Sequence, residues 1–162
     1  MEDHGSEALR RLIAALPDAV RETHARLGDA TALVDPARIV EVLRFLRDTA
    51  GLDFDMLIDL TAVDYLGEKP RFELVYHLLS LKHNRRVRIK ARVEEASPEI
   101  DTSVPLWAAA NWMEREVWDM YGIRFRGHPD PRRILLYEEF EGHPLRKDYP
   151  KERRQPLVGP RN

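Results

Sequence analysis

The sequence has no cysteine among its 162 residues, which excludes disulfides and removes the thiolates that hold most iron–sulfur clusters. It has no apolar run near the ~20 residues needed to cross a bilayer. It also lacks an excess of one charge. Lys and Arg number 26 against 28 Asp and Glu, a formal net charge of −2, so neither the basic surplus of a nucleic-acid binder nor a strong acidic field is present. No glycine-rich phosphate loop offers a handle for NADH, flavin or ATP, and no serine sits in a nucleophile-elbow pattern. The opening Met1-Glu2-Asp3-His4-Gly5 is acidic where a targeting signal is basic, so the chain is expected to be soluble and to work where it is made.

The length fits one domain with its own core. Ser6 is placed to cap a helix carrying Leu9, Leu12, Ile13 and Leu16 at helical spacing and ended by Pro17. A second helix is marked by Asp35 as N-cap, Pro36 in the first turn, a stripe of Ile39, Leu43, Leu46 and Ala50, and Gly51 past its end. The period then becomes two. Phe54, Met56, Ile58, Leu60 and Ala62 face one way and Asp53, Asp55, Asp59 and Thr61 the other. Arg71 to Leu81 is apolar on both faces, which suits a central strand. After the Lys82-His83-Asn84 turn, Val87, Ile89, Ala91 and Val93 alternate with outward Arg86, Arg88, Lys90 and Arg92. These three strands form an antiparallel meander.

A loop bracketed by Ser97-Pro98 and Val104-Pro105 leads to one helix or two short ones over Leu106 to Tyr121, stopped by Gly122, with a short strand at Ile123 to Phe125. Beyond Gly127 the Pro-, Gly- and Arg-rich segment has little periodicity, and residues from Arg146 read as a tail. The fold class is α+β: a two-layer sandwich of helices on a mostly antiparallel mixed sheet, with an extended C-terminal tail. Residues 1–145 are the domain and 146–162 the tail.

The densest acidic cluster is Glu114-Arg115-Glu116-Val117-Trp118-Asp119. Paired carboxylates can divide acid and base work, but i,i+4 spacing lets Arg115 pair with Asp119, and the structural explanation is preferred. The six histidines show no metal-ligand spacing; His128 and His143 precede prolines and are expected to fix loops through their rings. The Arg86 to Arg92 stripe lacks interleaved aromatics and reads as the solvent face of a strand, not a nucleic-acid surface.

The stretch from Glu114 to Leu135, with Glu-Arg-Glu, then Asp119-Met120-Tyr121, His128-Pro129, Arg132-Arg133 and Ile134-Leu135, resembles the signature of the complex I 30-kilodalton subunit family. Gly142-His143-Pro144-Leu145-Arg146-Lys147-Asp148-Tyr149-Pro150 and the upstream Asp59 to Tyr65 also resemble it, so the likeness spans roughly residues 35 to 150. Pro131 and Phe140 stand where the family pattern has leucine and tryptophan.

The resemblance implies a non-redox structural subunit of the peripheral arm of proton-translocating NADH:quinone oxidoreductase. An equivalent scaffold subunit of a related membrane-bound hydrogenase or dehydrogenase is the alternative. It implies no catalytic, cofactor-binding or metal residue in this chain, with flavin and iron–sulfur clusters carried by partner subunits. Glu114, Arg115, Glu116, Asp119, Gly122, His128, Pro129, Arg132 and Arg133 are then expected to shape the motif for assembly. His143, Pro144, Arg146, Lys147, Asp148 and Tyr149 are expected to meet the quinone-site (49-kilodalton type) subunit and neighbouring iron–sulfur subunits. The expected location is the cytoplasmic face of the bacterial plasma membrane, with membrane contact only through the complex and no nucleic acid bound.

Overall fold

A computed structural model describes residues 4–156 and 158, with side chains from residue 7 onward. Helix α1 spans His4–Ala15 and buries Leu9 and Leu12, while Ile13 is exposed. The helix has begun by His4, so Ser6 lies within its first turns and is not the expected cap. Asp35 does cap as expected: its Oδ1 accepts the Ala37 N–H at 2.9 Å. It starts a tight 3₁₀ turn, Pro36–Arg38, that leads into α2, Ile39–Asp48. Val42 joins Ile39, Leu43 and Leu46 in the core, and Ala50 lies exposed beyond the helix end.

The main sheet is built from β1 (Val20–His24), β2 (Thr31–Val34), β3 (Met56–Asp64), β4 (Phe72–Ser80) and β5 (Arg85–Val93), in the order β1-β2-β5-β4-β3. The expected meander β3-β4-β5 is antiparallel, and β2 joins β5 in parallel, giving a mixed sheet. The expected central strand, β4, is interior, but β5 is the middle one because the N-terminal hairpin β1-β2 adds beyond it. That hairpin has no clear mark in the sequence: Val20-Arg21-Glu22-Thr23-His24 carries too few apolar residues to show an alternation.

The phase of β3 also differs from expectation. Its pairing with β4 slips between Leu57 and Asp59, a bulge of one residue. Before the slip Leu57 points inward and Met56 outward; after it Leu60 and Ala62 are buried, and Ile58 is left exposed. A single extra residue reverses a period of two, which no strict alternation can anticipate. On β5 the alternation holds, and three of its outward cations already have carboxylates: Arg88 on Asp29 at 2.9 Å, and Lys90 and Arg92 on Glu73 at 2.8 and 3.0 Å.

The loop expected before the last helix contains β6 (Glu99–Asp101), which pairs in parallel with β7 (Arg124–Arg126), one residue downstream of its expected start. Between them α3 is a single helix, Ala110–Tyr121, entered through turns that bury Leu106 and Trp107. The fully buried Phe54, Phe72, Leu74, Tyr76, Leu78 and Ile89 belong to the core between the sheet and its helices. At roughly 1.5–3 kcal/mol per large apolar side chain, this core dominates the stability of the domain. Among the described residues no helix is long and apolar enough to cross a membrane.

Candidate assembly site at the end of helix α3

Helical spacing turns Glu114 and Val117 toward the core and leaves Glu116 on the exposed side. Glu114 is fully buried and accepts hydrogen bonds from the Thr102 hydroxyl at 2.5 Å, the Ser103 N–H at 2.7 Å and the Ser103 hydroxyl at 2.7 Å. Burial raises its pKa above the usual value, and these donors oppose the rise without cancelling it. The buried His128 ring stands 3.9 Å away. Its Nδ1 accepts the Asp130 N–H at 3.0 Å, which places the ring proton on Nε2, 3.2 Å from the Asn111 carbonyl. The expectation that His128 fixes its loop therefore holds.

Arg115 does not pair with Asp119, although their spacing allows it. Its guanidinium donates to the carbonyls of Arg132 and Arg133 at 3.0 and 2.9 Å and lies 3.5 Å from Asp130. Asp119 is fully buried and already satisfied. Its Oδ2 accepts three consecutive backbone N–H groups, Ile134, Leu135 and Leu136, at 3.1, 2.8 and 2.9 Å, and its Oδ1 accepts Arg133 at 2.6 Å. Burial alone would raise its pKa, but the four donors together hold it below the usual carboxylate value. Arg133 also donates to the Phe140 carbonyl at 2.9 Å and lies over the Trp118 ring. Arg132, by contrast, is exposed and forks onto Asp130, and Pro129 and Glu116 are exposed as well.

α3 ends at Gly122, whose φ of +73° is the left-handed conformation that glycine adopts without strain. A Cβ there would stand 2.6 Å from the His143 ring and 2.7 Å from Arg146, so the chain returns directly over the helix end. His143 Nδ1 lies 3.0 Å from the Asp119 carbonyl, Leu145 N–H donates to Met120, and Arg146 Nε donates to the Tyr121 carbonyl at 2.6 Å. The backbone N–H of Lys147 donates to Asp64 at 2.7 Å.

Asp64 belongs to a buried charge centre that sequence spacing does not reveal. Arg71, fully buried, forks onto Asp64 at 2.8 Å through both Nε and Nη2, and also reaches Asp148 and Glu95. These hydrogen bonds drive the Arg71 pKa up and hold Asp64 and Asp148 low. The Arg71 and Arg146 guanidinium groups both lie against the Phe72 ring, at 4.9 and 5.1 Å.

The three stretches that carry the resemblance, 59–65, 114–135 and 142–150, thus meet around one helix end. Of the six residues expected to face a partner, His143, Arg146 and Asp148 direct their side chains to groups within the chain. Tyr149 stacks on Phe140, Pro144 is half-buried, and the Lys147 side chain is exposed. Beyond them Gln155 bonds Glu141 and Tyr149, and Tyr137 donates to the Pro156 carbonyl at 3.0 Å. The other side of α3 borders a cleft of about 390 Å³ lined by Trp118, Phe125 and Pro131 with Glu99, Arg115, Arg124 and Arg126, and with Glu114 and His128 at its buried end.

Residues 32–155 match the family described as respiratory-chain NADH dehydrogenase, 30 Kd subunit. The chain belongs to this family. The C subunit of NADH-quinone oxidoreductase from Roseiflexus sp. (strain RS-1) is 51% identical over 142 residues, covering 88% of this chain and 82% of the relative. Its counterpart of the same name from Methylobacterium sp. (strain 4-46) is 48% identical over 152 residues, covering 91% and 70%. Among solved structures, a trypsin-resistant fragment (1–134) of Nqo5 superposes with a TM-score of 0.66 at 30% identity, over 78% of this chain and 98% of the fragment. A chain of the membrane-bound sulfane sulfur reductase, an archaeal respiratory membrane complex, superposes with a TM-score of 0.77 at 26% identity, over 91% and 86%. The α3 end lies within the matched residues. Arg71 and Glu95 lie outside the stretches that carried the resemblance; Arg71 is marked only as the charge that precedes the apolar β4, and Glu95 has no sequence signal.

Proposed function

We propose that this chain is a non-redox scaffold subunit of the peripheral arm of NADH:quinone oxidoreductase. It would support electron transfer from NADH to quinone by holding the quinone-site subunit and its iron–sulfur neighbours in place. The observation that carries this reading is the Asp119 site: a buried acid whose four hydrogen bonds all go to its own chain is structural, since a proton carrier needs an open lone pair or a path to solvent. With no cysteine, the chain offers no thiolate for a cluster, so flavin and clusters belong to partner subunits in this reading. The residues from His143 to Tyr149 then serve partners through their exposed edges, while their inner sides lock the segment to α3. The complex would sit at the cytoplasmic face of the bacterial plasma membrane, and this chain would reach the membrane only through its partners.

The superposition on the sulfane sulfur reductase complex supports a second reading, the same scaffold in a related membrane-bound hydrogenase or dehydrogenase with a different electron-input module. One experiment separates them. The chain, tagged at native level, is purified gently from solubilised membranes and its accompanying subunits, flavin, iron and NADH:quinone activity are recorded. Flavin and NADH activity select the first reading, a hydrogenase-type partner set the second, and a lone protein overturns both.

A further inference from the structure

The groups expected to dock a partner are largely spent inside the chain, but the cleft beside α3 holds one that is not. Arg124, exposed on β7, makes no side-chain hydrogen bond or ion pair among the described residues. Its neighbours are committed: Arg126 to Asp101 at 2.8 Å, and Arg115 to two main-chain carbonyls. The walls beside it, Trp118, Phe125 and Pro131, are apolar and flat. One large exposed apolar residue stands beside it: Trp112, 62% exposed, lies under the guanidinium of Arg115, which lines the cleft.

We propose that this cleft docks an acidic, partly apolar segment of a neighbouring protein subunit, with a partner carboxylate on Arg124 and an apolar side chain against Trp118 and Phe125. The inference rests on the scaffold reading above. A guanidinium fork matches a carboxylate in two parallel hydrogen bonds, and partly shielded Arg and Trp side chains carry much of the energy of protein interfaces. The cleft volume lies within the range of sites that enclose several side chains. A phosphate backbone fits less well, because Glu99, which lines the cleft opposite Arg124 on the paired strand, and Asp101 would repel a continuous run of negative charge, whereas a single carboxylate needs only the Arg124 fork while Glu99 stays beside Arg126.

The test uses the full-length tagged chain in its native membranes. Arg124→Glu is compared with Arg86→Glu, an exposed cation on the open sheet face. Arg124→Glu is expected to lower the yield of co-purified subunits about tenfold or more at constant expression and unchanged melting temperature, while Arg86→Glu leaves the yield unchanged. In a second arm, Arg124→Lys places an amine in the cleft, and carbodiimide treatment of the assembled complex is expected to couple it to an Asp or Glu of another subunit, identified by mass spectrometry. Equal yields for the wild type and Arg124→Glu overturn the inference and leave the scaffold reading intact. Coupling only to this chain's own acids, to a second copy of it, or to none, overturns it equally. A wild-type chain that brings no subunits overturns both.

Discussion

Arg71 grips Asp148 through two hydrogen bonds, at 2.8 and 3.0 Å, across a separation of 77 residues. This fork joins the first residue before β4 to the segment that returns over α3, and it shares its guanidinium with Asp64 and Glu95. The C-terminal part of the domain is therefore tied to the sheet by charge, with little apolar burial of its own. Removing the hub leaves Asp64 buried without its cation, so Arg71→Met is expected to cost about 3–5 kcal/mol in urea unfolding. Asp148 is half exposed, and Asp148→Asn is expected to cost about 1 kcal/mol or less. Its clearer signature is faster hydrogen exchange at the Lys147 amide, with the β3–β5 amides unchanged. Equal losses for the two variants would mean that Asp64 contributes nothing to the site.

The Asp119 cradle makes a separable prediction. Asp119→Asn keeps the size of the side chain but removes the charge from four hydrogen bonds, at about 1.5–3 kcal/mol for bonds to a charged group. The amides of Ile134, Leu135 and Leu136 should lose exchange protection together, because they share one oxygen. Arg133→Ala should act in the same direction and lower assembly of the complex more than turnover per assembled complex. Glu116→Gln, on the exposed side of the helix, should leave the stability of the isolated chain unchanged and act, if at all, on assembly with partners. Normal assembly of Arg133→Ala with lost turnover would sink the architectural reading.

What the sequence made legible was what depends on local pattern. The Asp35 cap, the alternation of β5, the Gly122 stop and the antiparallel meander all follow from neighbours a few residues apart. What it hid depends on distant partners or on a single irregularity. The bulge at Ile58 reverses the face of β3. Asp119 takes Arg133 and three amides in place of Arg115, because a cradle of four donors outcompetes one helical ion pair. The motif marked the right residues around α3, but Arg71 and Glu95, which complete the buried charge centre, left no periodic trace.

Gly122 allows a controlled comparison. Gly122→Ala carries both a left-handed backbone cost and a Cβ 2.6 Å from the His143 ring, whereas Gly67→Ala at φ +94° meets nothing within 4 Å. Gly67→Ala should cost about 1–2 kcal/mol from backbone conformation alone. Gly122→Ala should cost clearly more and should shift His143 and Arg146 together, seen as lost protection at Leu145, whose N–H bonds the Met120 carbonyl. Thermal unfolding of the two variants checks this, and equal costs would mean that the return segment does not press on the helix end.

The pH dependence of stability combines two opposing groups. Asp64, Asp119 and Asp148 have folded pKa values below the ordinary 3.8, so each stabilises the fold above that value and loses its contribution as pH falls through its lowered pKa. Glu114 is the reverse: its folded pKa lies above the ordinary 4.5 because burial disfavours its charge. Its protonated form is the one the fold prefers, so its contribution is greatest below 4.5 and declines as pH rises through the folded value. Glu114 therefore raises the melting temperature as pH falls toward 4.5, against His77 and His143, whose pKa values burial lowers from 6.5 and which weaken the fold as pH falls below that value, and stability drops steeply once the three aspartates protonate below 3.8. Glu114→Gln removes only the first effect: its amide oxygen keeps the two Ser103 donors, its NH2 donates to the Thr102 hydroxyl, and the side chain no longer ionises. Relative to the wild type, the variant should lose the gain on acidification toward 4.5 and keep the acid collapse. A variant curve parallel to the wild type above 4.5 would show that Glu114 is not the group responsible.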